Sequence, residues 1–263
     1  MRNWGLLLTF FALPVLFAGC SAHSIVDPAV QFADILKDYP PTREALTIQQ
    51  ITTPLAGTAL AHPDAVDVTI MVHPAYSLFI DKDLDEQYSE AKLGLMKKQL
   101  EHEAKFMSDQ AQFGNVVVLI LPRDSVPDNA ASAYVTYLNR TTHGKNSVVY
   151  FYSETRESGN LEANDVATLC GFLEAVKVRK LLIGGGYIGR CQGELYGQII
   201  DYCSPKEIYI VPEISSVSLE DISEREAVRM YTGVLNQDYA QVREFILKHT
   251  VGDIKTLSIP QMK

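Results

Sequence analysis

From Asp67 onward, short apolar runs alternate with longer stretches of mixed polarity. "DVTIMVH" (67–73), "NVVVLILP" (115–122), "SVVYFYSE" (147–154), "KLLIGGG" (180–186) and "EIYIVPE" (207–213) are brief, rich in apolar and β-branched residues, and bounded by proline, glycine or polar positions. Such runs read as strands buried on both faces. The intervening stretches 86–110, 131–144, 161–178 and 191–203 read as helices. In the first, Leu93, Met96, Leu100 and Met107 fall on one stripe. In the third, Val166, Leu169, Cys170 and Leu173 point inward. Two polar-faced helices, roughly 220–234 and 236–249, close the chain.

Strands alternating with helices predict an α/β fold: a doubly wound, mostly parallel, Rossmann-like sheet of about five to six strands with helices on both faces. Ligands of such sheets sit at the carboxyl ends of the strands, where the strand order reverses. That rule singles out His73, Arg123, Asp124, Glu154 to Arg156, Tyr187 to Cys191, and Glu213.

Before Asp67 the pattern differs. Arg2 precedes an apolar stretch from Leu6 to Phe17, the length of a secretory h-region and too short for a mature span. It ends in Leu16-Phe17-Ala18-Gly19-Cys20, which resembles a bacterial lipobox, with Phe17 where Leu is usual. Cleavage before Cys20 and acylation of its thiol are expected, and Ser21 in place of Asp implies sorting to the outer membrane. Lipid on Cys20 then anchors an otherwise soluble body to the membrane. The expected organisation is a signal peptide (1–19), a lipidated cysteine with tether and arm (20–65), one α/β domain (66–250) and a tail (251–263). The arm is rich in proline, with a short helix near Ala29 to Lys37.

The formal net charge of −9 argues against nucleic acid as a partner. No H-x-x-x-H or C-x-x-C spacing occurs, so neither a metal nor another cofactor is expected. Cys191 and Cys203 lie about 18 Å apart along one helix and cannot bond each other. Cys170 could reach Cys203 if their helices pack side by side, but buried free thiols are the expectation, since cysteine is often buried.

The stretch "LLIGGGYIGRCQGEL" (181–195) carries the candidate chemistry. Gly184, Gly186 and Gly189 satisfy G-x-G-x-x-G, and "IGGGYIG" resembles the NAD-binding turn of flavin disulfide reductases. A dinucleotide-binding half, however, needs about three strands running on from the turn, and only "EIYIVPE" follows. Cys191 offers a second reading. Amides at a helix N-terminus favour thiolate, and His73 shares its crevice if the first and fourth strands are neighbours. Thiol and imidazole would be nucleophile and base, with the turn amides as an oxyanion hole. Against that stands the plain alternative that Cys191 fills a helix start and His73 bonds backbone.

Over residues 66 to 230 the order of motifs resembles the isochorismatase-like cysteine hydrolases, nicotinamidases among them. "VTIMVHPAYSLFID", "VVVLILPRD" and "YFYSETRESGNL" stand where that family has its first three strands and their polar ends. Cys191 follows Gly185 by the family's six-residue spacing, and "YIVPEISSVS" is similar to the segment after it. The resemblance implies a cysteine nucleophile, an aspartate base on the first strand and a lysine near the end of the third. Here His73 replaces the aspartate, and Tyr150, Phe151 and Tyr152 supply no lysine. Only Cys191 of that triad is carried over. The chain is therefore expected to be an envelope lipoprotein, on the periplasmic face of the outer membrane, whose degenerate domain binds a small molecule or a partner. Catalytic candidates are Cys191 and His73; ligand-binding candidates are Arg123, Asp124, Glu154, Gly185, Tyr187 and Arg190. An active cysteine hydrolase and nucleotide binding at the glycine turn stay open as alternatives. Self-association is common among such proteins.

Overall fold

The computed structural model describes residues 49–50, 65–75, 90–113, 115–123, 136–141, 148–205, 207–250 and 255–256. The leader, Cys20, the helix expected near Ala29 and Asp124 lie outside them. Strands are β1 (Gln49–Gln50), β2 (Asp67–Val72), β3 (Val116–Leu121), β4 (Val148–Tyr152), β5 (Lys180–Tyr187), β6 (Ile208–Ser216) and β7 (Lys255–Thr256). Helices are α1 (Glu90–Gln112), α2 (Ala163–Ala175), α3 (Cys191–Tyr202), α4 (Glu224–Leu235) and α5 (Ala240–His249). Residues 136–141 are also helical.

All strands join one sheet in the order β1-β4-β3-β2-β5-β6-β7, and every neighbouring pair is parallel. The chain builds outward from β2 through β3 to β4, then crosses back to β5 and β6. That is the doubly wound pattern, and it sets β2 and β5 side by side. Alternate residues serve opposite faces. Val68, Ile70, Val72, Val118, Ile120, Leu181 and Ile183 form one core with Leu169, Phe172, Leu195 and Ile199 of α2 and α3. Met71, Val117, Leu119 and Leu182 form the other with Met96, Leu100 and Met107 of α1 and with Tyr137 and Leu138. This double burial is why the strand sequences are apolar almost throughout.

Among the described residues the sheet has seven strands where about five to six were expected. The extra edges, β1 and β7, are two residues long and fall in segments read as arm and tail, too short to leave a hydrophobic period. The last long strand runs on to Ser216, past the expected end at Glu213. Ser215 and Ser216 hide this continuation because they are polar yet buried. Their partners explain the burial: Gln99 Nε2 donates to Ser216 Oγ at 2.9 Å, and the Tyr231 hydroxyl donates to the Ser215 carbonyl at 2.6 Å. The final helix starts at Ala240 rather than 236, since Gln237 adopts φ 64° in the preceding turn. Helix α4 starts on a capping box in which Glu226 N donates to Ser223 Oγ while the Glu226 carboxylate accepts from Ser223 N.

One cysteine expectation is overturned. Cys170 and Cys203 form a disulfide, with Cα atoms 5.0 Å apart. Phe172, Leu169 and Leu173 face the sheet. Cys170 sits only half-buried on the flank of that stripe, turned to the end of the neighbouring α3. The bridge closes a loop of 33 residues, for which chain entropy implies about 3–4 kcal/mol of stabilisation. Replacing both cysteines by serine is expected to lower the unfolding free energy by about that amount, read from urea denaturation.

On the other face, the Glu103 carboxyl is buried and accepts from the Tyr137 hydroxyl at 2.6 Å. Burial pushes its pKa up to about 8, against smaller downward effects of Tyr137 and the Ala75 amide. The folded state thus holds a proton that the unfolded chain releases near the ordinary carboxylate value. Its contribution to stability is full below about pH 4.5 and is lost as pH rises to about 8. Glu103→Gln is expected to remove that decline, seen as a flatter urea midpoint between pH 7 and 8 than in the wild type.

Candidate functional site

Parallel topology brings the carboxyl ends of β2, β3, β4 and β5 together. The β5–α3 connection is tight. Gly185, at φ 85°, passes so close to β2 that a Cβ there would stand 2.2 Å from the Val72 carbonyl oxygen. Gly189, at φ 78°, packs against His249, where a Cβ would meet the His249 Cβ at 2.6 Å. Both conformations favour glycine. Gln192 is fully buried and locks this strand end, its amide donating to the carbonyls of Gly185 at 2.7 Å and Gly186 at 3.1 Å. The glycine cluster is therefore a strand end threaded between neighbours. The room its missing side chains leave is filled by the protein itself.

Cys191 opens α3 and is 2% exposed. Its sulfur accepts from the Tyr187 amide at 3.1 Å. A Cβ at Gly186 would sit 2.4 Å from that sulfur and 3.8 Å from the His73 Cβ. The thiol and the His73 Cβ therefore both lie beside Gly186. Their chemistry diverges. Burial pushes the thiol up to about 12, and the nearby Glu194 charge adds to that, outweighing the downward pull of the Tyr187 and α3 amides. The helix N-terminus is thus overruled by desolvation.

His73 is completely buried, adopts φ 45°, and is pinned by its amide to the Ile120 carbonyl at 2.8 Å. Its imidazole extends over the end of β3 to Ser153, with Nε2 2.9 Å from Oγ. Ser153 spends its hydroxyl proton on the Thr155 carbonyl at 2.6 Å. The serine oxygen must then accept from Nε2–H, which assigns the tautomer. Burial lowers the imidazole to about 3, so it is neutral at any pH near 7. Among the described residues no hydrogen bond joins the thiol to this ring.

The segment between β4 and α2 reaches both residues, the His73 ring through Ser153 and the Cys191 backbone through Gly159. Gly159 lies against the first residue of α3, where a Cβ would stand 1.7 Å from the Cys191 carbonyl oxygen. Glu194 accepts from the Ser158 hydroxyl and the Gly159 amide, each at 2.8 Å. Gln198 accepts from the Leu161 amide at 2.8 Å and donates to the Leu161 carbonyl at 3.0 Å. Sequence reasoning missed Ser153, Gly159, Glu194 and Gln198. The one available signal was the i,i+4 pair of polar residues on the flank of α3.

The remaining candidates occupy the rim. Arg123 ends β3 and is ion-paired with Glu162, the residue that precedes α2. Glu154 is exposed, and its amide donates to the Asn160 carbonyl at 2.7 Å. Tyr187 is half-buried. Arg190 has its guanidinium taken up by Asp221 at 2.7 and 2.9 Å and by Glu220 at 2.5 Å. It fastens the turn to the segment before α4. No group of three or more metal-ligating side chains exists among the described residues.

In fold the chain is similar to the pyrazinamidase/nicotinamidase of Streptococcus mutans, at a TM-score of 0.39 and 12% identity over 65% of this chain and 96% of that one. It is similar to the nicotinamidase of Staphylococcus aureus, at 0.41 and 11% over 65% and 95%. An octameric hydrolase of unknown specificity from Escherichia coli gives 0.36 and 12% over 71% and 79%. These neighbours are of the kind the resemblance implied. At such identities the likeness is one of fold, and no residue's role is taken from it. No protein-family model and no curated protein sequence matches the chain.

A neutral buried imidazole makes acid the sensitive side of the site. The unfolded chain takes up a proton near pH 6.5 that folded His73 refuses until about pH 3, so stability falls as pH drops through that window. The urea midpoint of His73→Gln relative to that of the wild type is expected to rise as pH goes from 7 to 4; a difference that does not change with pH would contradict the assignment.

Proposed function

We propose that this chain is an envelope lipoprotein, acylated on Cys20, whose isochorismatase-like α/β domain has given up cysteine hydrolase chemistry and works by binding. The observation that carries this reading is the enclosure of Cys191. A nucleophile must be ionised and reachable. Here the thiol is 2% exposed, held far above neutral, and packed against Gly186 and the Tyr187 amide. The neutral imidazole, engaged with Ser153, supports the same reading. The ligand is a small molecule or a protein partner meeting the rim at the carboxyl ends of the strands, where Arg123, Glu154 and Tyr187 keep access to solvent. Nucleic acid is disfavoured by the net charge of −9. Among the described residues no helix is long and apolar enough to cross a membrane. In this reading the lipid on Cys20, suggested by the lipobox-like leader, supplies the attachment, and the domain works at the periplasmic face of the outer membrane.

The test has two arms. Purified protein is expected to release no ammonia from nicotinamide and no nitrophenol from p-nitrophenyl acetate beyond the level of Cys191→Ala. Turnover that disappears in Cys191→Ala would restore the hydrolase. Cells fed radiolabelled palmitate are expected to label the wild type and not Cys20→Ser; equal labelling would remove the anchor.

A further inference from the structure

The segment from Ser153 to Asn160 carries one cation, Arg156. Its backbone is fixed on both sides of that residue. The Ser153 hydroxyl donates to the Thr155 carbonyl at 2.6 Å, and the Ser158 amide donates to Thr155 Oγ1 at 3.1 Å. The Glu154 amide donates to the Asn160 carbonyl at 2.7 Å and closes the segment at its ends. Ser158 and Gly159 are in turn held by Glu194. Arg156 therefore stands on a stiff support past the carboxyl end of β4, the end of the sheet at which ligands of such folds sit.

The Arg156 side chain is only 15% exposed. Its Nε is shut off from solvent and has no hydrogen-bond partner, and among the described residues no hydrogen bond reaches the other two nitrogens. Its one charged contact is Glu157 Oε1, 3.7 Å from Nε and beyond hydrogen-bond length, on a carboxylate that is 65% exposed. An ion pair of that kind contributes little. Arg123, Arg179 and Arg190 are all more exposed, yet each hydrogen-bonds a carboxylate. Keeping the most enclosed of these four guanidiniums without an acceptor costs free energy. A ligand that brings oxygens to it recovers that cost.

We propose that Arg156 is the ligand-binding group of the rim and that its ligand is a small organic carboxylate, which takes the place of Glu157 beside the guanidinium. The inference rests on the reading of this domain as a binding module and names the class of ligand. Two coplanar carboxylate oxygens match the guanidinium fork. Phosphate offers a similar match but carries more negative charge into a segment that already holds Glu154 and Glu157, on a chain of net charge −9. Arg123, at the neighbouring strand end, is paired with Glu162, and Arg190 with Asp221, so recognition falls to Arg156.

The experiment is thermal unfolding of the full chain as sodium chloride is exchanged for sodium acetate, sodium benzoate or sodium phosphate at constant ionic strength. At least one of the two carboxylates is expected to raise the melting temperature saturably, by about 2 °C or more, and phosphate by less than half as much. Arg156→Met is expected to lose the carboxylate shift, and Arg156→Lys, which keeps the charge without the fork, to lose most of it. Arg179→Met, at the opposite end of the sheet, is expected to retain it. In chloride alone Arg156→Met is expected to melt within about 2 °C of the wild type or above it, since an unbonded cation is removed. The inference is overturned if neither carboxylate gives a saturable shift, if Arg156→Met keeps the shift, or if phosphate matches the carboxylates. It also falls if Arg156→Met melts more than about 5 °C below the wild type in chloride, because the residue is then structural. These outcomes are separable from the functional reading above. Absence of a carboxylate effect leaves the loss of hydrolase chemistry standing, and turnover that depends on Cys191 leaves Arg156 as the anchor of a carboxylate.

Discussion

Everything at the carboxyl end of the sheet depends on how closely the backbone passes its neighbours where β5 gives way to α3. Side chains are excluded there by contact with β2 at Gly185, with the Cys191 sulfur at Gly186 and with α5 at Gly189. The same exclusion recurs at Gly159 from the opposite side. Close packing of this kind leaves no room for solvent, and the absence of solvent decides the electrostatics. A thiol at a helix N-terminus would ordinarily ionise more easily. Here desolvation carries it the other way, because stabilisation from a few amides is smaller than the cost of an enclosed charge.

The polar groups of the region obey that economy. His73 is neutral and donates a hydrogen bond to Ser153, whose hydroxyl donates in turn to the Thr155 carbonyl. Gln192 donates to two carbonyls at the end of β5. The charged groups, Arg123, Arg190, Glu194 and Asp221, stay at the margin and pair there. The result is a site-shaped region whose interior is structural and whose rim is polar. That division is what makes binding at the rim a better account than chemistry inside.

Much of the fold was legible because both faces of the sheet are buried. Double burial demands unbroken apolar runs, so β2 to β6 stood out, and the alternation with helices implied parallel neighbours. The placement of His73 near Cys191 followed from the doubly wound order alone. Less legible were elements whose burial is satisfied by polar partners. Ser215 and Ser216 extend β6 because Gln99 and Tyr231 meet them, and those partners lie far off along the chain. β1 and β7 are too brief for any period to register.

By itself the sequence determined the class of fold, the strand ends at which a site would lie, the histidine and tyrosines that stand where the resemblance implies an aspartate and a lysine, and the leader pattern at Cys20. These depend on local composition and spacing. Only the tertiary structure decided that Cys170 joins Cys203, that Arg190 is spent on Asp221 and Glu220, and that Cys191 lies buried against Gly186. Each of those outcomes turns on which surfaces of separate elements meet. The state of a thiol or an imidazole is set by the solvent and charge around it, which distant parts of the chain supply.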